Sequence, residues 1–118
     1  MRIPYPTFYV YIMSNEGHSV FYIGVTNNIK RRVLEHKAGE GSAFTSKYNL
    51  KSLLYYEQFD DINNAIKREK KLKNWHRDWK INLIKEKNRE MKDLAHDWFA
   101  KGQIRIHKNG TDAETSSA

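Results

Sequence analysis

Two tyrosines, Tyr11 and Tyr22, lie in neighbouring segments whose composition is typical of β-strands. Strands joined by one hairpin lie side by side, so both phenols are expected at one site. Tyrosines are also favoured in strands and this chain has seven, so the pattern alone favours core packing for both.

Arg32 and His36 are four residues apart and therefore share one face of a predicted helix. A guanidinium presents a planar fork of donors that matches phosphate oxygens, and an imidazole can hold a phosphate or a hydroxyl. A solvated basic face and a structural histidine are the alternatives. The spacing alone does not decide between them.

Glu69 falls on the apolar stripe of another predicted helix, together with Ile62, Ile66 and Leu72. Its carboxylate is therefore expected to point toward the fold, where an unpartnered charge is costly. A divalent cation or a buried arginine would serve equally well as its partner.

The elements that position these residues follow from the hydrophobic pattern, which predicts strands over 7–13, 20–25 and 52–59. Helices are predicted over 29–37 with an end near Gly39, from Ile62 to about residue 73, over 78–87 with Trp79, Leu83 and Ile84 inward, and as a short apolar helix over 91–99. Residues 39–42 and the polar residues after them are expected to form a loop, and residues 74–77 are expected to bend the chain. Thr26, Asn27 and Asn28 offer candidate N-caps for the first helix, and Asp60 or Asp61 for the second. The fold class is α+β: a small three-stranded antiparallel sheet flanked by helices.

With 118 residues, the chain is expected to form one domain over residues 1–100, followed by a poorly ordered tail at 101–118. It has no cysteine, which excludes disulfides and thiolate metal sites. The apolar run at 8–13 is too short to span a bilayer, so a cytoplasmic protein is expected. Lys and Arg total 21 against 14 Asp and Glu, and this charge of +7 suits a polyanionic partner.

The chain resembles the GIY-YIG nuclease superfamily from about residue 8 to residue 94, most closely its small stand-alone bacterial members related to the amino-terminal domain of excinuclease C. The segments that carry the resemblance are Tyr9-Val10-Tyr11, Tyr22-Ile23-Gly24, the run from Gly24 through Arg32 to His36, and the run from Ala65 through Glu69 to Trp75. Tyr9 replaces a glycine of the first motif. The last motif is represented only loosely around Asn88, for which a helix C-cap role is at least as good an interpretation.

This resemblance implies a metal-dependent endonuclease that hydrolyses the phosphodiester bonds of DNA. It implies that Glu69 holds one Mg²⁺ or Mn²⁺ ion and that Arg32 neutralises charge on the phosphoryl oxygens. Tyr22 would help to deprotonate the attacking water, although an ordinary tyrosine pKa near 10 must first be lowered by its neighbours. Tyr11 would orient that water, and His36 and Asn88 would assist.

The implied partner is DNA, branched or damaged, in a repair or processing step. Side chains expected to contact flanking phosphates without reading bases are Lys30, Arg31, Lys37 and Lys47. The sequence has no zinc finger and no recognisable helix-turn-helix, so a partner protein is expected to supply specificity.

Two alternatives remain open. The loose final motif also fits a non-catalytic module that binds DNA or RNA on a nuclease scaffold. Trp75, Trp79 and Trp98 among charged residues would fit a protein-interaction adaptor, although aromatic residues at helical spacing more often form core.

Overall fold

The computed structural model describes residues 6–100, so the predicted tail at 101–118 lies outside the described residues. The elements are β1 (Phe8–Ser14), β2 (Phe21–Thr26), α1 (Ile29–Lys37), α2 (Ala43–Lys47), β3 (Ser52–Phe59), α3 (Ile62–Asn74) and α4 (Arg77–Lys87). Within residues 6–100, each helix is too short or too polar to cross a bilayer. The predicted strands, α1, α3, the bend after Asn74 and α4 are confirmed.

The three strands form one antiparallel sheet in the order β2-β1-β3, which confirms the predicted fold class. Tyr11 in the central strand lies opposite Gly24 of β2 on one side and Tyr56 of β3 on the other. The register of β1 against β3 shifts between Ile12 and Met13. The outer side of β2 is therefore one edge of the sheet.

The sheet separates two hydrophobic cores, because successive side chains of β1 point to opposite faces. Val10 and Ile12 pack with residues of α3 and α4 on one face. Tyr11 and Met13 pack with residues of α1 on the other face. The helix partners in the two cores are Ala65, Leu72 and Ile84 on the first face and Ile29 and Val33 on the second.

The predicted caps fix where α1 and α3 begin. The side chain of Asn28 accepts a hydrogen bond from the backbone N–H of Arg31 at 3.1 Å, and Asp61 accepts one from Asn64 at 2.9 Å. Helix α1 ends at Lys37, close to the expected Gly39, whose φ of +82° lies in the left-handed region that favours glycine. Because these residues fix where α1 begins and ends, they also fix which face of the helix carries Arg32 and His36.

Three apolar side chains predicted to point inward are exposed instead, namely Ile62 at 38%, Ile66 at 36% and Trp79 at 54%. Helix α3 packs on the sheet through Ala65 and Leu72, which are both fully buried. Ala65 is small and lets α3 approach the sheet closely. When the helix packs through Ala65 and Leu72, it is rotated so that Ile62 and Ile66 face the sheet edge.

Two predictions about the remaining chain are wrong. Residues 43–47 form α2 where a loop was expected, because Ser42 caps the backbone N–H of Thr45 at 3.1 Å. Residues 91–99 form turns where a helix was expected. The Asp93 carboxylate there accepts hydrogen bonds from the backbone N–H groups of Leu53 and Ala95, which compete with helical bonds.

Candidate active site

Tyr11 is seated inside the protein beneath α1, with 1% of its surface exposed. Its ring passes over Gly24 of the neighbouring strand: a Cβ at position 24 would lie 2.6 Å from the Tyr11 hydroxyl. Real Cβ atoms essentially never come so close, so only glycine leaves room for the phenol there. This close approach explains why glycine follows the second tyrosine by two residues.

Helix α1 brings Arg32 and His36 to the Tyr11 hydroxyl from one face. Arg32 Nε donates to the hydroxyl at 3.4 Å, and His36 Nε2 lies 2.9 Å from it. Arg32 also donates to Glu35 at 2.9 Å within the same helix. The Arg32 side chain is 28% exposed, so its guanidinium is held by the protein and still open to solvent.

His36 is held on its other side by α2, a contact that the sequence did not reveal. Its Nδ1 lies 3.0 Å from the Thr45 hydroxyl, which in turn lies 2.9 Å from the Ser42 hydroxyl. Gly41 leaves room for the imidazole, since a Cβ there would lie 2.0 Å from Nδ1. The serine three residues before a threonine signals a helix cap, but no local pattern tells that Thr45 faces His36.

The charges in this cluster follow from burial and contacts. Burial raises the pKa of Tyr11 to about 12, and burial together with the nearby Arg32 charge lowers the pKa of His36 to about 4. Burial would lower the pKa of Arg32, but its hydrogen bonds with Tyr11 and Glu35 outweigh that effect and raise it. At neutral pH the cluster therefore holds a neutral phenol, a neutral imidazole and one positive charge.

One arrangement of hydrogen atoms satisfies every group. The Thr45 hydroxyl donates to the backbone carbonyl of Ser42 at 3.3 Å. His36 can then donate from Nδ1 to Thr45 and accept from the Tyr11 hydroxyl at Nε2. The Tyr11 oxygen remains the acceptor for Arg32, so the phenol positions the guanidinium.

Tyr22 completes the cluster from the edge strand. Its ring centroid lies 6.3 Å from that of Tyr11 and 5.6 Å from that of His36. Unlike Tyr11, it is only half-buried. It lines a cleft of about 290 Å³ together with Phe21, Ile23, Phe44, Lys73 and Lys80. The structure thus brings Tyr11, Tyr22, Arg32 and His36 together.

Glu69 lies on α3, which packs on the face of the sheet opposite to Tyr11 and α1. Its side chain is 17% exposed and pairs with Lys73 at 2.7 Å. In the described part of the chain, no hydrogen bond or ion pair joins it to the phenols or to Arg32. Within the described residues, Glu69 therefore makes no direct polar contact with the cluster.

The helical face that carries Glu69 nevertheless runs along the same edge of the sheet. Ile62, Ile66, Glu69 and Lys73 follow one another at helical spacing. Ile62 lines a cleft of about 370 Å³ that also contains Arg32, while Lys73 lines the cleft that contains Tyr22. Glu69 thus lies on the helix face between two clefts that open at the β2 edge.

Asn88 is placed elsewhere, at the end of α4. Its side-chain amide donates to the backbone carbonyls of Leu54 and Lys92 at 3.0 and 2.8 Å, and its oxygen accepts from the Lys92 N–H at 3.1 Å. These contacts tie the end of α4 to β3. They are the contacts of a structural residue at a helix end, and the structure does not bring Asn88 to the tyrosine cluster.

The four predicted phosphate contacts divide into two kinds. Lys30, Arg31 and Lys47 are exposed. Lys37 pairs with Asp93 and donates to the backbone carbonyl of Lys51, and its side chain is only 11% exposed. Lys37 therefore anchors the turn after α4 and has few donors left for DNA.

The donor set at Glu69 limits which cation it could hold. Among residues 6–100, no group of three or more histidine, cysteine, aspartate or glutamate side chains is arranged to hold a metal. A protein cage for zinc is therefore not available in that range. One accessible carboxylate fits the way Mg²⁺ and Mn²⁺ bind, with waters and substrate phosphate completing the shell.

The sequence is similar to those of known proteins. The sequence matches the family model described as the GIY-YIG catalytic domain over residues 7–82, a range that includes Glu69 and excludes Asn88. The UPF0213 protein of Haloquadratum walsbyi is 38% identical over 78 residues, covering 66% of this chain and 86% of the relative. The UPF0213 protein of Staphylococcus haemolyticus is 34% identical over 79 residues, covering 67% and 95%.

A solved structure also matches, the solution NMR structure of the UPF0213 protein from Bacillus halodurans. It is 25% identical, with a TM-score of 0.48, and the match covers 77% of this chain and 97% of that chain. The family model alone spans more than half of the sequence. The chain therefore belongs to the GIY-YIG family.

Proposed function

We propose that this protein is a metal-dependent endonuclease that hydrolyses phosphodiester bonds of DNA. The observation that carries the proposal is the Arg32 guanidinium, which is held by the Tyr11 hydroxyl and open to solvent, while the rings of Tyr22 and His36 pack around the same phenol. A fixed cation bound to a phenol, with a second phenol packed against the first, suits a reaction in which negative charge grows on a phosphate. Glu69 on the adjacent helix face adds a carboxylate.

Arg32 would bind the phosphoryl oxygens. Its Nε is used by Tyr11 and one terminal nitrogen is used by Glu35. The rest of the fork can donate to a phosphate, which would compete with Glu35. Because the pKa of Arg32 is raised, the charge is present at every pH at which the protein would act.

Tyr22 would take the proton of the attacking water as its phenolate, after its hydroxyl has released its own proton to solvent through the cleft that the half-buried ring lines. The pKa of Tyr11 near 12 makes its own phenolate a rare species, so Tyr11 acts as a positioning residue for Arg32. His36, neutral at working pH, accepts the Tyr11 proton in a hydrogen bond and keeps the phenol oriented toward Arg32.

Glu69 would hold the divalent cation, Mg²⁺ or Mn²⁺, through its partly exposed carboxylate. When bound, this cation would supply charge stabilisation at the phosphate and at the leaving oxygen. Lys73, which pairs with Glu69, would exchange this partner for a DNA phosphate when a cation arrives.

Exposed cationic side chains would bind the DNA around the cleaved bond. Lys30, Arg31 and Lys47 would contact phosphates on both sides of the cleaved bond. These contacts read no bases, so branched or damaged DNA structure, or a partner protein, would select the site. A role in DNA repair or processing in the cytoplasm fits this substrate.

Cleavage of supercoiled plasmid with Mg²⁺ or Mn²⁺ tests the proposal. Wild type is expected to nick and linearise the plasmid, whereas Glu69→Gln and Arg32→Ala each lower the rate by about 100-fold or more. Two exposed residues outside the site provide matched controls: Glu86→Gln and Arg89→Ala should cleave like wild type.

Equal cleavage by wild type and both site variants would show a contaminating nuclease and defeat the proposal. Binding of DNA without any cleavage would favour a non-catalytic module on the same scaffold. Absence of DNA binding at low salt, where electrostatic affinity is strongest, would favour a protein-interaction adaptor instead.

A further inference from the structure

Helix α2 and its C-cap expose two aromatic rings in contact, with their planes inclined by 53°, beside the cluster. Phe44 is 45% exposed and Tyr48 is 41% exposed, with ring centroids 4.9 Å apart. Large apolar side chains grouped on a surface mark a contact site more often than isolated ones do. Neither ring is needed to seat His36, which α2 holds through Ser42 and Thr45.

These rings continue a row that starts in the cluster itself. The Phe44 centroid lies 6.3 Å from that of Tyr22, and the two ring planes are inclined by 32°. We call Tyr22, Phe44 and Tyr48 the aromatic row. It leads from the ring that packs against Tyr11 and His36 out to the surface of α2.

Positive charge accompanies the row along its length. Lys47 Nζ lies 5.3 Å from the Tyr48 ring centroid, and Lys73 and Lys80 line the cleft together with Tyr22 and Phe44. Aromatic rings that stack on bases and lysines that bind phosphates are the two parts of a surface for single-stranded nucleic acid. A polyanion also suits the net charge of +7.

The row suits unpaired bases better than a duplex. Within a duplex, the faces of the bases are covered by their neighbours, so protruding rings on a protein surface find no partner there. Bases of a single strand expose both faces and can stack on aromatic side chains. Contact with duplex phosphates would need the lysines alone.

We propose that Phe44 and Tyr48 stack unpaired bases of the DNA strand whose phosphate reaches Arg32. The substrate class is then DNA with a single-stranded segment at the cleavage point. This inference rests on the proposed nuclease function, because it places the strand relative to the cleaved bond. Lys47 neutralises the phosphates between the stacked bases.

Binding of fluorescently labelled oligonucleotides tests the inference, with EDTA present so that no cleavage occurs. The wild-type protein is expected to bind single-stranded DNA about tenfold more tightly than a duplex of the same sequence. Phe44→Leu and Tyr48→Leu should each weaken single-strand binding about tenfold and leave duplex binding unchanged. Leucine keeps an apolar side chain and removes the stacking face.

Tyr56→Leu is the matched control. Tyr56 is 38% exposed, similar to Tyr48, but lies on β3 at the other edge of the sheet. Its replacement should leave both affinities unchanged. Equal affinity of wild type for single strand and duplex, or an equal loss in Tyr56→Leu, would overturn the inference. Tighter binding of RNA of the same sequence would overturn the assignment to DNA.

Cleavage of the same oligonucleotides with Mg²⁺ or Mn²⁺ separates this inference from the proposed function. Single-strand binding through Phe44 and Tyr48 without cleavage would retain the stacking surface and refute the nuclease. Cleavage of single strand and duplex at equal rates, unchanged in both row variants, would retain the nuclease and refute the stacking surface.

Discussion

Two networks built from the same residue types lie on opposite faces of the sheet. The Arg32 network contains Tyr11, Arg32, Glu35 and His36. The Arg68 network contains Tyr55, Glu57, Arg68 and Trp75. The two arginine side chains are almost equally exposed, at 28% and 25%.

The two networks differ in how many N–H donors of the guanidinium remain free for a ligand. Both carboxylate oxygens of Glu57 accept hydrogen bonds from Arg68 at 2.8 to 3.2 Å. The Trp75 ring centroid lies 5.3 Å from Cζ of the Arg68 guanidinium. Arg32 has a single contact with Glu35 and donates to a neutral phenol. The Arg68 network is thus satisfied within the protein, whereas the Arg32 network keeps donors for a ligand.

Exchange of each arginine for lysine gives the largest expected difference between the networks. Arg32→Lys keeps the charge but loses the fork, so plasmid cleavage should fall by about 100-fold with little change in stability. Arg68→Lys should leave cleavage unchanged and lower the free energy of unfolding by about 2 kcal/mol, because Glu57 loses its two-pronged partner. Cleavage rates and urea unfolding of both variants provide the measurement. Loss of activity in both variants alike would break the comparison.

The pH dependence of stability separates the networks by their titrating groups. The pKa of His36 is about 4 in the folded chain and 6.5 in the unfolded chain, so the unfolded chain takes up a proton first as the pH falls. Stability should be complete above pH 6.5, and about 3 kcal/mol should be lost as the pH falls to about 4. Burial would raise the pKa of Glu57, but its hydrogen bonds with Arg68 and Tyr55 outweigh burial and hold that pKa below 4.5, so its contribution to stability is present above pH 4.5 and is lost only at lower pH.

Urea unfolding of wild type and His36→Gln between pH 7 and pH 4 checks this expectation. The variant should be less stable at pH 7, but its stability should fall less steeply over the range where histidine titrates. Parallel curves for the two proteins would show that His36 does not carry the pH dependence.

The close packing of the Tyr11 ring against Gly24 gives a third test, which disturbs the Arg32 network by a steric clash without changing any charge. Gly24→Ala places a methyl group 2.6 Å from the Tyr11 hydroxyl, and the phenol is held there by Arg32 and His36. A loss of about 1 to 3 kcal/mol of stability and a clear drop in cleavage are expected. Gly17→Ala is the control, because nothing lies within 4 Å of that Cβ. A tolerated Gly24→Ala would mean that Tyr11 is free to move.

The sequence predicted the parts of the fold that local patterns determine. Alternating and helical hydrophobic patterns identified three strands and three of the four helices, and Asn28 and Asp61 marked helix starts. The rotation of α3 was not predictable, because Ile62 and Ile66 are apolar yet face the sheet edge. Whether a helix packs through Ala65 or through its larger neighbours depends on the partner surface, which no single segment encodes.

The candidate site divides in the same way. Tyr11, Tyr22, Arg32 and His36 meet because one hairpin and one helix position them. Thr45 was missed because its contact with His36 depends on the path of a loop. Catalytic roles for these residues and for Glu69, and a special likeness to excinuclease C, stay predictions.

Neutralising Glu35 is expected to have the smallest effect and tests the comparison most directly. Glu35 contacts Arg32 within one helix and is 36% exposed, so Glu35→Gln should cost less than about 0.5 kcal/mol of stability. The substitution also removes the carboxylate that competes with the DNA phosphate for Arg32, so DNA binding should tighten slightly. Urea unfolding and oligonucleotide binding measure both effects, with the exposed Glu86→Gln as control. A loss above about 1 kcal/mol would show that the Arg32 network is as closed as the Arg68 network, because surface pairs are worth less than that.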